Sequence, residues 1–154
     1  MSNARTILTC VMIAAMSGHA AAQENPGSWR IEAPAAVAPG EVATMHIVFD
    51  IQPGWQMYAP SPVNEAAGVT GLAIKVEPTK GLAVSQPDYP HPRLKGRYEV
   101  YETSPASVAI KLRPGKETEN GTYTLTGNIQ YQFCRPDLCL PPQREAFSVE
   151  VEVR

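Results

Sequence analysis

Apolar and polar residues alternate along much of this chain, the period of strands with one buried face. Ala43, Met45, Ile47, Phe49 and Ile51 alternate with Thr44, His46, Val48 and Asp50. Leu72, Ile74 and Val76 repeat the pattern, as do Val108, Ile110 and Leu112. A longer run, Tyr123, Leu125, Ile129, Tyr131 and Phe133, leads into Cys134, and Phe147, Val149, Val151 and Val153 alternate with Ser148, Glu150 and Glu152 at the end. Pro39-Gly40, Pro53-Gly54, Pro114-Gly115 and Asn120-Gly121 separate these runs. Proline presets φ and glycine accepts positive φ, so each pair predicts a turn.

All 15 prolines follow residue 22 and recur every few residues, which excludes long helices. Seven to nine short strands with turn signals at this spacing predict an all-β chain, an immunoglobulin-like antiparallel β-sandwich. No repeat, low-complexity segment or domain boundary interrupts it. Residues 87–97 show no strand alternation and are expected to form a functional loop.

The first residues read as a secretory signal peptide over 1–22. Arg5 supplies the charge, residues 7–16 the apolar run and Ala20-Ala21-Ala22 the cleavage site. That run is too short to span a bilayer, and Cys10 is expected to be removed with it. The mature domain is then residues 23–154, long enough for one real core. No second apolar run of membrane length follows, so no membrane span is expected in the mature chain, which is read as periplasmic or secreted. Without Arg5 the chain carries 12 basic and 15 acidic side chains. This mildly acidic, mixed balance has no basic cluster and gives no sign of nucleic-acid binding.

Export leaves two thiols, Cys134 and Cys139, in a loop that also holds Pro136, Pro141 and Pro142. An exported protein with an even number of cysteines is expected to pair them. A disulfide closing so short a loop stabilises the fold by only ~2 kcal/mol, so it is a weak staple. Short, exposed disulfides are also those that exchange with other thiols. Arg135 favours a thiolate at Cys134 and Asp137 opposes one. On the residues alone, an inert structural disulfide and a redox-active one are equally good readings.

Other chemistry is thinner. Two thiolates with His46 and His91 match no zinc spacing, and Met45 lies on the apolar side of its strand, as a core residue would. In Pro53-Gly54-Trp55-Gln56-Met57-Tyr58, Trp55 is expected in the core, while Tyr58 is a candidate to pack beside the cysteines and control access to them. No phosphate loop, Ser/His/Asp set or carboxylate pair stands out.

These pieces together resemble the periplasmic N-terminal domain of the thiol:disulfide interchange protein DsbD. The resemblance rests on residues 53–58, on Gly96-Arg-Tyr-Glu-Val-Tyr101, and on Tyr131-Gln132 before a cysteine pair followed by Pro141-Pro142. It implies an immunoglobulin-like exchange domain with protein-disulfide reductase activity. It implies Cys139 as the exchange nucleophile and Cys134 as its disulfide partner. A cap over the cysteines would correspond to residues 90–96, with His91, Pro92 and Leu94 as access residues beside Tyr58. Leu94 stands where the family presents an aromatic ring, and four residues rather than five separate the cysteines. The implied partners are a thioredoxin-like or membrane electron donor, separate from a chain that ends at Arg154, and oxidised periplasmic proteins. The sulfurs carry the chemistry, so neither metal nor organic cofactor is implied. The alternative from another class is a non-catalytic secreted interaction module with a structural disulfide.

Overall fold

A computed structural model describes residues 26–154; the signal peptide expected over 1–22, with Cys10, lies outside them. In chain order the strands are β1 (Gly27–Glu32), β2 (Ala36–Val37), β3 (Ala43–Ile51), β4 (Gln56–Tyr58), β5 (Ala73–Val76), β6 (Leu82–Val84) and β7 (Arg93–Lys95). They continue with β8 (Tyr98–Tyr101), β9 (Ala106–Pro114), β10 (Gly121–Tyr131), β11 (Phe133–Arg135), β12 (Leu138–Cys139) and β13 (Gln143–Val153). One short helix, α1 (Pro62–Ala66), follows β4.

Three sheets result, ordered β1-β3-β9-β6, β2-β13-β10-β5 and β12-β11-β4-β8-β7. All pairings are antiparallel except that of β2 with β13, which is parallel. The first two sheets enclose one core. Met45, Ile47 and Phe49 from β3 and Val108, Ile110 and Leu112 from β9 share it with Leu125 and Ile129 from β10 and Val151 and Val153 from β13. These are the residues that the alternation selects, and the result is the immunoglobulin-like sandwich it predicts. The structure has more strands than seven to nine because several run for only two to four residues.

Two long strands feed the third sheet. Beyond Ile51, Gln52-Pro53-Gly54-Trp55 forms a turn closed by Trp55 N donating to Gln52 O at 3.0 Å. Proline leads it and Gly54 follows at φ +86°, a conformation that favours glycine. The chain then enters β4. Likewise Gln132 breaks the ladder between β10 and β11, and the strand changes sheet. α1 then fixes the far side. Ser61 caps it through its Oγ, with Pro62 at the first helical position. Asn64, 1% exposed, spends its amide on the backbone: Nδ2 donates to Ala59 O at 2.8 Å and Glu99 O at 2.7 Å, and Oδ1 accepts from Glu99 N at 3.2 Å.

Residues 87–97 are not one open loop. Asp88 exchanges backbone hydrogen bonds with Ala109, the Tyr89 hydroxyl accepts from Ile74 N at 2.9 Å, and β7 pairs with β8. The segment is strapped to all three sheets. Its strand escapes detection because Arg93-Leu94-Lys95 is an exposed edge with no buried face to imprint an alternation.

Candidate functional site

The third sheet separates its two faces by the strand pleat. Met57 opposite Phe133 and Tyr101 points into the main core. The intervening positions belong to a second, smaller cluster, in which Cys134 packs with Tyr58 and Val100, flanked by Val69 and Tyr98. Thus Phe133 joins the sandwich core and the next residue, Cys134, faces the other way.

Cys134 and Cys139 are directly opposed on β11 and β12 and are bonded to each other. Pro136 and Asp137 form the intervening two-residue turn. At the base of the hairpin Leu140 N donates to Phe133 O at 3.0 Å, and the Gln132 side chain donates to Leu140 O at 2.9 Å. The two sulfurs differ in access. Cys134 is 1% exposed, whereas Cys139 sits on the edge strand and is exposed.

An aromatic series runs outward from Cys134. Tyr58 packs on it, the Tyr98 ring lies 5.3 Å from Tyr58, and the Arg97 guanidinium lies 5.0 Å over Tyr98 while donating to its hydroxyl at 2.8 Å. Gly96, at φ +63°, makes the tight turn that sets Tyr98 opposite Lys95. Leu94 pairs with Glu99, one register step from Val100, so the pleat turns it to the face away from Cys134, where it is 74% exposed. Arg93 and Lys95 share the Tyr58 face and pair with Glu102 at 3.3 and 2.9 Å. Their ammonium and guanidinium groups hold its carboxyl below the usual range, chiefly through the hydrogen bond from Lys95. His91 and Pro90 line a shallow pocket with Arg93, Tyr101, Glu102 and Pro105, and Pro92 is half-buried beside it.

Arg135 is not aimed at the sulfurs. The register puts it on the opposite face from Cys134, where its guanidinium lies 5.2 Å over the Trp55 ring and its Nε is 3.1 Å from Asp137 Oδ1. The two charges expected to compete over the thiolate are engaged with each other. Trp55 is in the core, as its sequence context predicts, and Met45 is fully buried there. His46 is 3.1 Å from Ser107 Oγ in the first sheet, and among the described residues no three metal-ligating side chains cluster. Tyr98, Gln132 and Asn64 carry no sequence-predicted role at this site. Tyr98 and Gln132 lie within segments that carry the family resemblance, whereas Asn64 left no signal.

The family model described as thiol:disulfide interchange protein DsbD, N-terminal, matches residues 29–151. Among solved structures, the reduced N-terminal domain of DsbD from Neisseria meningitidis is 17% identical, covering 80% of this chain and 84% of that one, with a TM-score of 0.40. The GAE domain of yeast GGA1 is 10% identical, covering 83% and 93%, with a TM-score of 0.44. No curated protein matches. With its cysteine pair bonded and the family match spanning nearly the whole described chain, this protein belongs to the DsbD N-terminal family and is a thiol:disulfide exchange module.

Proposed function

We propose that the protein relays electrons in the periplasm, from a thioredoxin-like or membrane donor to oxidised proteins, with Cys139 as the exchanging sulfur. One observation carries the assignment: Cys139 is exposed on an edge strand while Cys134 is 1% exposed beneath Tyr58. Exchange requires a thiolate to approach a disulfide sulfur in line with the bond it breaks, so access decides which sulfur reacts.

In the reduced protein the Cys139 thiolate attacks one sulfur of the substrate disulfide. A bond forms to that sulfur, and the other leaves as a thiolate and takes a proton from solvent. Cys134 then gives up its proton and attacks Cys139 Sγ, forming the Cys134–Cys139 disulfide and expelling the second substrate thiolate. The substrate gains two electrons and this protein loses them. The donor reverses the sequence, its thiolate attacking Cys139.

The test is covalent trapping. Cys134→Ser removes the resolving thiol and is expected to accumulate mixed disulfides through Cys139 with a thioredoxin-like partner or an oxidised substrate. Cys139→Ser is expected not to. Non-reducing gels and peptide mapping read the result. Complexes trapped mainly by Cys139→Ser would reverse the assignment, and none from either variant would leave a binding module with a structural disulfide.

A further inference from the structure

We infer that Arg135 is a positioning residue that keeps the Cys134–Cys139 hairpin closed after its disulfide is reduced; this rests on the exchange chemistry proposed above. The second step needs Cys134 within reach of Cys139 Sγ while Cys139 is bonded to a partner. At that moment the disulfide cannot hold the hairpin. β12 is a two-residue edge strand whose neighbour in its sheet is β11, and both its side chains are exposed. Backbone pairing over so short a span is weak on its own.

Two contacts that contain no sulfur bridge this gap. At the base, Gln132 binds Leu140 O. At the tip, Arg135 lies against the Trp55 ring and reaches Asp137 in the turn. Trp55 is 8% exposed and anchored in the sandwich core, so the tip is tied to a rigid body. A guanidinium stacked on an aromatic face and paired with a carboxylate is worth more than an exposed ion pair alone. Neither contact involves a sulfur atom, so reduction of the disulfide does not itself break either one. The clasp therefore raises the effective concentration of Cys134 at Cys139 and leaves the first attack to Cys139 itself.

The measurement separates the two steps. The fully reduced protein is mixed with excess dithiobis(nitrobenzoate), which releases one thionitrobenzoate on attack by the first thiol and a second when the other cysteine closes the disulfide. The first phase depends on reagent concentration; the second is intramolecular and does not. Arg135→Gln is expected to slow the second phase by about five-fold and leave the first within about two-fold. Arg135→Lys, which keeps a cation over Trp55, is expected to recover most of the loss. The equilibrium constant for disulfide formation against glutathione is expected to fall by the same factor, with thermal unfolding of the oxidised variants checked in parallel. Unchanged second phases in both variants would overturn the clasp. So would a slowed first phase with a shifted pH profile, which would make Arg135 a thiolate-stabilising charge. A wild-type protein without an intramolecular phase would instead overturn the exchange reading.

Discussion

Tyr58 and Cys134 stand on one face of the β12-β11-β4-β8-β7 sheet, packed together with Val100, while Cys139 is left exposed on the edge strand. The disulfide therefore has a closed end and an open end. The arrangement follows from register. Cys134 pairs with Gln56, two residues before Tyr58 on the same side of β4, and Tyr58 pairs with Val100. A single-residue slip of β4 would exchange Tyr58 for Met57 and bring the open side of the sheet inward. Tyr98 extends the closed end, and Leu94 does not.

Shielding by Tyr58 is expected to fix the site of attack by small thiols. In the wild-type protein, glutathione adducts trapped by acid quench should map to Cys139. Tyr58→Ala should yield adducts on Cys134 as well and speed total reduction several-fold, since access limits exchange. Tyr98→Ala should act in the same direction and more weakly. Leu94→Ala should leave the adduct map unchanged, and a strong effect from it alone would show that the cap works through residue 94.

The disulfide closes a short hairpin at an edge, not the sandwich. Its reduction should lower stability by only ~2 kcal/mol, with the far-ultraviolet spectrum retained. Denaturant melts of the oxidised and reduced protein test this, and loss of cooperative folding on reduction would make the bond a structural staple.

The two main sheets were legible because β3, β9, β10 and β13 run for nine to eleven residues, long enough for burial to imprint a period of two. The third sheet was not. Its strands run for two to four residues, too short for a period, and they come from three separate parts of the chain. Motif and resemblance singled out Cys134, Cys139 and Tyr58, whereas the facing of Leu94 and Tyr98 depends on a register that no single segment encodes. The helix at Pro62–Ala66 had a readable start, serine followed by proline, but its five residues carry no amphipathic stripe.

Alkaline pH should destabilise the fold through its buried phenols. Burial pushes the Tyr101 hydroxyl up to about 12, with Tyr89 and Glu99 adding to the shift. Burial also raises Tyr89 against the smaller opposing effect of its hydrogen bond with Ile74, and raises Tyr131, which in addition donates to the Glu145 carboxylate. Between pH 10 and about 12 the unfolded chain has lost phenolic protons that the native state retains. The native state then binds more protons, so unfolding free energy falls as pH rises through this window. Below pH 10 this contribution is fully present. Tyr101→Phe should flatten part of the fall, measured by denaturant melts at stepped pH alongside a phenolate absorbance titration.

Asn64 joins the shield to the rest of the molecule, and its substitution should act on stability and reactivity together. Its amide meets Ala59 O and both backbone groups of Glu99, the residue between Tyr98 and Val100. Asn64→Ala leaves Glu99 N and Ala59 O without that partner at a buried site, at a cost of about 2–3 kcal/mol. Asn64→Asp should be worse at neutral pH. It keeps an acceptor for Glu99 N but turns a carboxylate oxygen towards the two carbonyls that Nδ2 now satisfies, and burial adds a desolvation cost. Acidification should narrow the gap between the two variants, because a protonated carboxyl can donate again. As β8 loosens, the adduct map of Asn64→Ala should move towards that of Tyr98→Ala. Equal stabilities for the Ala and Asp variants across pH would show that Asn64 fills space without bonding β8.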